Sequence, residues 1–250
     1  MIAVAAPSPV ADVAARLRAL EESAPRGDGV ACFARLYREV TESVDAELRG
    51  RAPADGAFTT LLDVRFAELF FAAADAFTRD PATTPRAWLP LFEARSRRGI
   101  APLQFALAGM NAHINRDLPV ALVATCAELG IPLRDDSREH SDFERIDALL
   151  AHVERRVKPA YLTGTLAALD RLVHRCGRID DVAAMWDVAR ARDAAWANAR
   201  VLTRLRDDAL LAHAFVDTLD RTTGLAGRGL LVPADTALGK LARLLRRIGQ

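Results

Sequence analysis

Leu107-Ala108-Gly109-Met110-Asn111-Ala112-His113-Ile114-Asn115-Arg116-Asp117-Leu118 decides how this chain is read. At about 100° per residue, Leu103, Leu107, Met110, Ile114 and Leu118 fall on one helical stripe. His113 and Asp117, four apart, stack on one side of it, and Asn111 and Asn115 stack with Gln104 on another. A helix that is polar on two sides of a greasy stripe, in an alanine-rich chain, is expected to be surrounded by other helices. Gly109 lets a neighbour come close to the backbone. Pro119 lacks an N–H and its ring crowds the carbonyl four residues back, so a kink is expected just after Asp117.

The flanking sequence carries the same helical rhythm. Ser8-Pro9 reads as a cap and first-turn proline for a short helix through Leu20, and Asp28 caps a second that Gly50 and Pro53 stop. A third is expected over 56–78, a loop over 81–87, a short helix over 88–97, and the polar helix over 102–129 until Gly130-Ile131-Pro132. Ser141-Asp142-Phe143-Glu144 has capping-box spacing and opens another. Pro159 starts the next, to Gly177. The pattern over 181–222 is too long for one globular helix, so a break is expected near Asp207-Asp208. Gly224, Gly227 and Gly229 read as a flexible turn before a last helix over 236–248. No segment alternates with period two, and no internal repeat is visible.

Composition supports the same class. The chain is 51% hydrophobic but only 6% aromatic, with alanine and leucine, the best helix formers, dominating. Its 250 residues hold no Pro/Gly/Ser-rich linker. The expectation is an all-α, single-domain helical bundle spanning 1–250, with about eight to ten helices around the polar central helix.

Charge and cysteine usage mainly exclude. Lys and Arg total 34 against 33 acidic residues, a net charge of +1, so no field marks a nucleic-acid partner. Cys32, Cys126 and Cys176 have neither disulfide nor thiolate-zinc spacing. No run approaches the ~20 apolar residues of a membrane span, and the N-terminus lacks the charge pattern of a signal peptide, so a cytoplasmic location without membrane contact is expected. The basic helix bearing Lys240, Arg243, Arg246 and Arg247 reads as one that docks its leucines and solvates its arginines. Walker, Gly-x-Gly-x-x-Gly, Gly-x-Ser-x-Gly and His-Glu-x-x-His motifs are missing.

Three places put charge where the pattern calls for an apolar residue. Asp63 projects between Phe66, Ala67, Phe70, Ala74 and Phe77, and either takes part in a site or pairs with an arginine. Asp117 accepts from the ring of His113, which is how a general base or metal-ligand histidine is oriented; the alternative is a closed core network. Arg200 lies with Asp193 near Trp186 and Trp196, as an anion contact beside an indole or as an internal ion pair. His140 and Glu144 repeat the i, i+4 spacing of His113 and Asp117, which admits a divalent metal on His113, Asp117 and His140. Glu144 is already explained as a capping-box residue and no third ligand pair follows, so metal is the less favoured reading.

The 107–118 run resembles the hallmark of an uncharacterised bacterial and fungal family, domain of unknown function 5995. Supporting pieces are Asp63 with Phe66-Ala67, Trp88 before Phe92, Asp142-Phe143 with Ile146, and Arg192 with Ala195-Trp196, so the resemblance covers residues 60–205. It implies a helical fold and a centre at His113 and Asp117, and it names no substrate. The expected function is that of a small-molecule enzyme. His113, Asp117 and Asp63 would be catalytic, and Asn111, Asn115, Trp196 and Arg200 would bind substrate. The alternatives are a non-catalytic helical protein that binds a ligand or partner, and a metal-dependent hydrolase. An enzyme needs a cavity reaching His113, whereas a structural network should be filled and fully hydrogen-bonded.

Overall fold

The computed structural model describes residues 8–50, 53–161 and 188–233, and among them every long element is a helix, with no strand. Chain order is α1 (Pro9–Ser23), α2 (Gly29–Arg49), α3 (Pro53–Arg79), a 3₁₀ turn (Pro81–Thr83), α4 (Leu89–Ala94), α5 (Pro102–Ala112), a π-turn (His113–Asp117), α6 (Leu118–Leu129), α7 (Arg138–Tyr161), α8 (Val188–Leu205) and α9 (Ala209–Leu230). The expected helices over Pro159–Gly177 and 236–248 lie wholly or partly outside the described residues, as do His174, Cys176 and Trp186.

Local chemistry sets the helix ends. Ser8 accepts from the Ala11 N–H, and Asp28 accepts from those of Val30 and Ala31, each satisfying donors that a helix start leaves unpaired. Asp28 also takes the Arg95 guanidinium at 2.6 Å, which ties the end of α4 to the start of α2. Gly130 ends α6 in the left-handed region, with φ 65°. The helix break falls between Leu205 and Ala209, where Asp208 caps α9.

Four expectations change. The Pro119 kink takes the form of a π-turn: the Leu118 N–H reaches the His113 carbonyl five residues back, and the wider turn takes up the clash that the proline ring imposes. Gly224, Gly227 and Gly229 form no loop but lie inside α9, where the bare backbone of Gly224 lets that helix press on Arg86 and Gly227 packs on Pro90. The helix expected to open at Ser141 starts at Arg138, with the Ser137 hydroxyl accepting from the His140 N–H; Glu144 is therefore not a capping-box residue. Pro159 lies within α7, which continues to Tyr161.

α1 packs on α2, α2 on α5, α5 on α9, and α6 on α3 and α8. One apolar cluster joins Phe33, Phe70, Trp88, Phe92 and Phe105, and a second joins Phe58, Leu62, Ile114, Leu118, Phe143 and Trp196. Met110 touches both. Gly109 is the close approach expected of it, since a Cβ there would strike the Phe33 ring. None of the described helices is long and apolar enough to cross a membrane.

Two glycines of α9 separate packing from propensity. A Cβ at Gly224 would sit 2.5 Å from the Arg86 carbonyl oxygen, whereas one at Gly229 meets nothing within 4 Å. In urea denaturation, Gly224→Ala should therefore cost about 1–3 kcal/mol. Gly229→Ala should be neutral or stabilise by up to about 1 kcal/mol. Equal effects would show that close contact does not explain Gly224.

Candidate functional site

Helices α2 and α3 and the 102–129 segment, with α7 and α8, surround a cavity of about 100 Å³. Its wall is mostly apolar, because successive turns of α2 send Leu36, Val40 and Val44 toward Leu62 of α3, Ile114 of the π-turn and Ile146 of α7. Tyr37, Thr59, Asp63, His113 and Arg192 are the polar side chains that interrupt it.

His113 is fixed from behind. Asp117, fully buried, accepts from the Trp88 indole at 2.9 Å and from Arg116 at 2.7 Å, and lies 3.4 Å from His113 Nδ1. An ionised carboxylate only accepts, so Nδ1 carries the ring proton and Nε2 keeps a lone pair. Burial lowers the imidazole pKa below its ordinary 6.5, outweighing the pull of Asp117, and the ring stays neutral at pH 7. Phe66 stacks on it at 3.3 Å and 6°, and Tyr37 meets it edge-on at 4.5 Å. Nε2 is buried and has no hydrogen-bond partner.

Asp63 is the second unusual group. Its Oδ2 is buried without a hydrogen-bond partner, and the arginine that would make it a structural ion pair is not found among the described residues. Burial first, and the nearby Asp45 charge second, push its pKa up from 3.8 to about 7. The Tyr37 hydroxyl is also buried and unpartnered, and its pKa is raised well above 10, chiefly by burial, so it stays a neutral phenol.

Arg192 enters the cavity wall from α8, paired with Asp147, donating to the Phe143 carbonyl at 2.9 Å and lying 3.9 Å over the Phe143 ring. Tyr37 and Arg192 were not among the site residues expected from sequence. Arg192 did carry a signal, because it shares one helical face with Ala195, Trp196 and Ala199, all buried. Tyr37 carried none, since a tyrosine in an apolar stripe reads as packing.

The other expected residues lie elsewhere. Asn111 donates to the Thr223 carbonyl at 2.9 Å and accepts from Asn115 at 3.1 Å, while Gln104 donates to the Leu230 and Val232 carbonyls. The amide face thus holds α9 and is not part of the cavity wall. Trp196 and Arg200 both bind Asp135, and Asp193 is exposed. His140 bonds the Asp135 carbonyl at 2.9 Å and packs on Trp196. His113, Asp117 and His140 are therefore not brought together as a metal-ligand set, and no cluster of three His, Cys, Asp or Glu among the described residues could hold a metal ion.

A family model described as a family of unknown function, DUF5995, matches residues 10–233, a longer span than the 60–205 expected from the motifs. No curated protein and no solved structure matches the chain.

Asp63 makes stability depend on pH with a definite sign. Its folded pKa, about 7, exceeds its ordinary 3.8, so between those values the native state holds a proton that the unfolded state has released. The penalty is absent below the lower value, grows as pH rises, and is complete above the upper one, at roughly 4 kcal/mol. The stability of Asp63→Asn relative to wild type, measured by urea denaturation, should therefore increase over that window and then level. A difference independent of pH would show that Asp63 titrates normally.

Proposed function

The chain belongs to the DUF5995 family of unknown function, and from its site we propose an enzyme that transforms a small molecule bound between α2, α3 and the π-turn, with His113 as the acid–base group. The observation that carries the reading is the buried His113 Nε2, which has no partner and belongs to a side chain lining a cavity. A closed structural network would have used that atom.

The chemistry follows from the wiring. Nε2 accepts a proton from a bound O–H, N–H or activated C–H, and the imidazolium so formed is stabilised by the Asp117 carboxylate behind it. Trp88 and Arg116 hold that carboxylate in place, so little rearrangement accompanies the charge. Asp63, largely protonated below about pH 7, can donate to an oxygen that gains charge as the proton leaves. Residues of this kind typically contribute about 10²–10⁴-fold to rate.

Catalysis and simple binding differ in one experiment. Wild-type protein and His113→Gln, matched by circular dichroism and melting temperature, are incubated with a small-molecule extract of host cells and followed by mass spectrometry. Wild type should deplete at least one neutral compound, with the variant slower by about 10²-fold or more. Depletion by both at one rate removes His113 as the acid–base group. Retention of a compound without turnover would make this a binding protein.

A further inference from the structure

Three side chains that line this one cavity, Tyr37, Asp63 and His113, each carry a buried polar atom (Oη, Oδ2 and Nε2) that has no hydrogen-bond partner. Leaving such atoms unpaired is costly, and native interiors hold only a few per hundred residues. Because all three side chains border one apolar chamber, an occupant of that chamber is the partner that can supply the missing bonds.

The pattern also constrains charge. Arg192, the cationic side chain in the wall, is paired with Asp147 and bonded to the Phe143 carbonyl. Tyr37 is a neutral phenol, His113 a neutral imidazole and Asp63 a carboxyl that burial keeps largely protonated just below neutrality. A charged ligand would lose its hydration and find no free counter-ion. His113 Nε2 can only accept, so the ligand presents a donor there, while the Tyr37 and Asp63 hydroxyls can donate to an adjacent oxygen. Size is bounded as well: about 100 Å³ is of the order of the roughly 150 Å³ engineered cavity that takes benzene, and Phe33, Tyr37 and Phe66 give this chamber aromatic walls.

We propose that the substrate is an uncharged molecule about the size of a single ring, carrying a hydroxyl that donates to His113 Nε2 and accepts from Tyr37 or Asp63. This deepens the reading of the cavity as a substrate site and rests on it.

The test is calorimetric titration of the full chain at about pH 6, below the Asp63 midpoint, with toluene, benzyl alcohol, benzoate and benzylammonium. Benzyl alcohol should bind about tenfold or more tighter than either ion, and several-fold tighter than toluene. Leu62→Trp, or Val40→Phe should the larger ring unfold the chain, should abolish binding by filling the chamber. Benzoate or benzylammonium binding as tightly as the alcohol would overturn the neutral-substrate assignment while leaving the cavity a ligand site. Toluene matching the alcohol would overturn the role of the three polar atoms. No saturable binding by any of the four, or binding unaffected by filling, would overturn the cavity as a ligand site as well.

Discussion

A buried carboxylate must be paired, and in this protein satisfying Asp117 organises three segments. Its oxygens take the Trp88 indole, the Arg116 guanidinium and the His113 ring edge, so the start of α4 and the π-turn meet at one charge. Arg116 also faces Asp220 of α9 at 3.5 Å, and Asp220 accepts from the Arg86 and Ala87 N–H groups at 2.7 and 3.1 Å. The chain Asp117–Arg116–Asp220–Ala87 backbone returns to the residue beside Trp88, which closes the circuit. Removing one member of such a buried pair typically costs about 3–5 kcal/mol, because the partner is left charged and dry.

That circuit explains why His113 is available for chemistry. With Nδ1 committed to Asp117, the ring cannot turn to bury Nε2 against a protein donor, and Phe66 and Tyr37 pin its faces with carbon. Asp63 is raised toward neutrality by the same apolar surroundings. The stranded polar atoms work against stability, which is the usual trade between a folded core and a working site. The amide face of the same helix does the opposite: Gln104, Asn111 and Asn115 are bonded, and they clamp α9.

The parts legible in the sequence were those fixed by local chemistry. Caps at Ser8 and Asp28, the His113–Asp117 stacking and the misplaced carboxylate at Asp63 all follow from spacing along one helix. The rest depended on partners distant in sequence. A three-glycine cluster reads as a turn until Arg86 and Pro90 are seen against Gly224 and Gly227, and Arg200 reads as the site arginine until Asp135 is seen to hold it. The π-turn was hidden because Pro119 signals a disruption without saying which helical form absorbs it. Asn111 and Asn115 were read as substrate contacts because a polar helix face looks the same whether it meets a ligand or a neighbouring backbone.

The account stands on His113 being a neutral imidazole with its proton on Nδ1 and its Nε2 lone pair unused. Long-range ¹H–¹⁵N correlation of the histidine rings at about pH 7, with His113 assigned by comparison with His113→Gln, reads that state directly. The account predicts a pyrrole-type Nδ1 and a pyridine-type Nε2 for His113. A protonated ring, or a proton on Nε2, would contradict it.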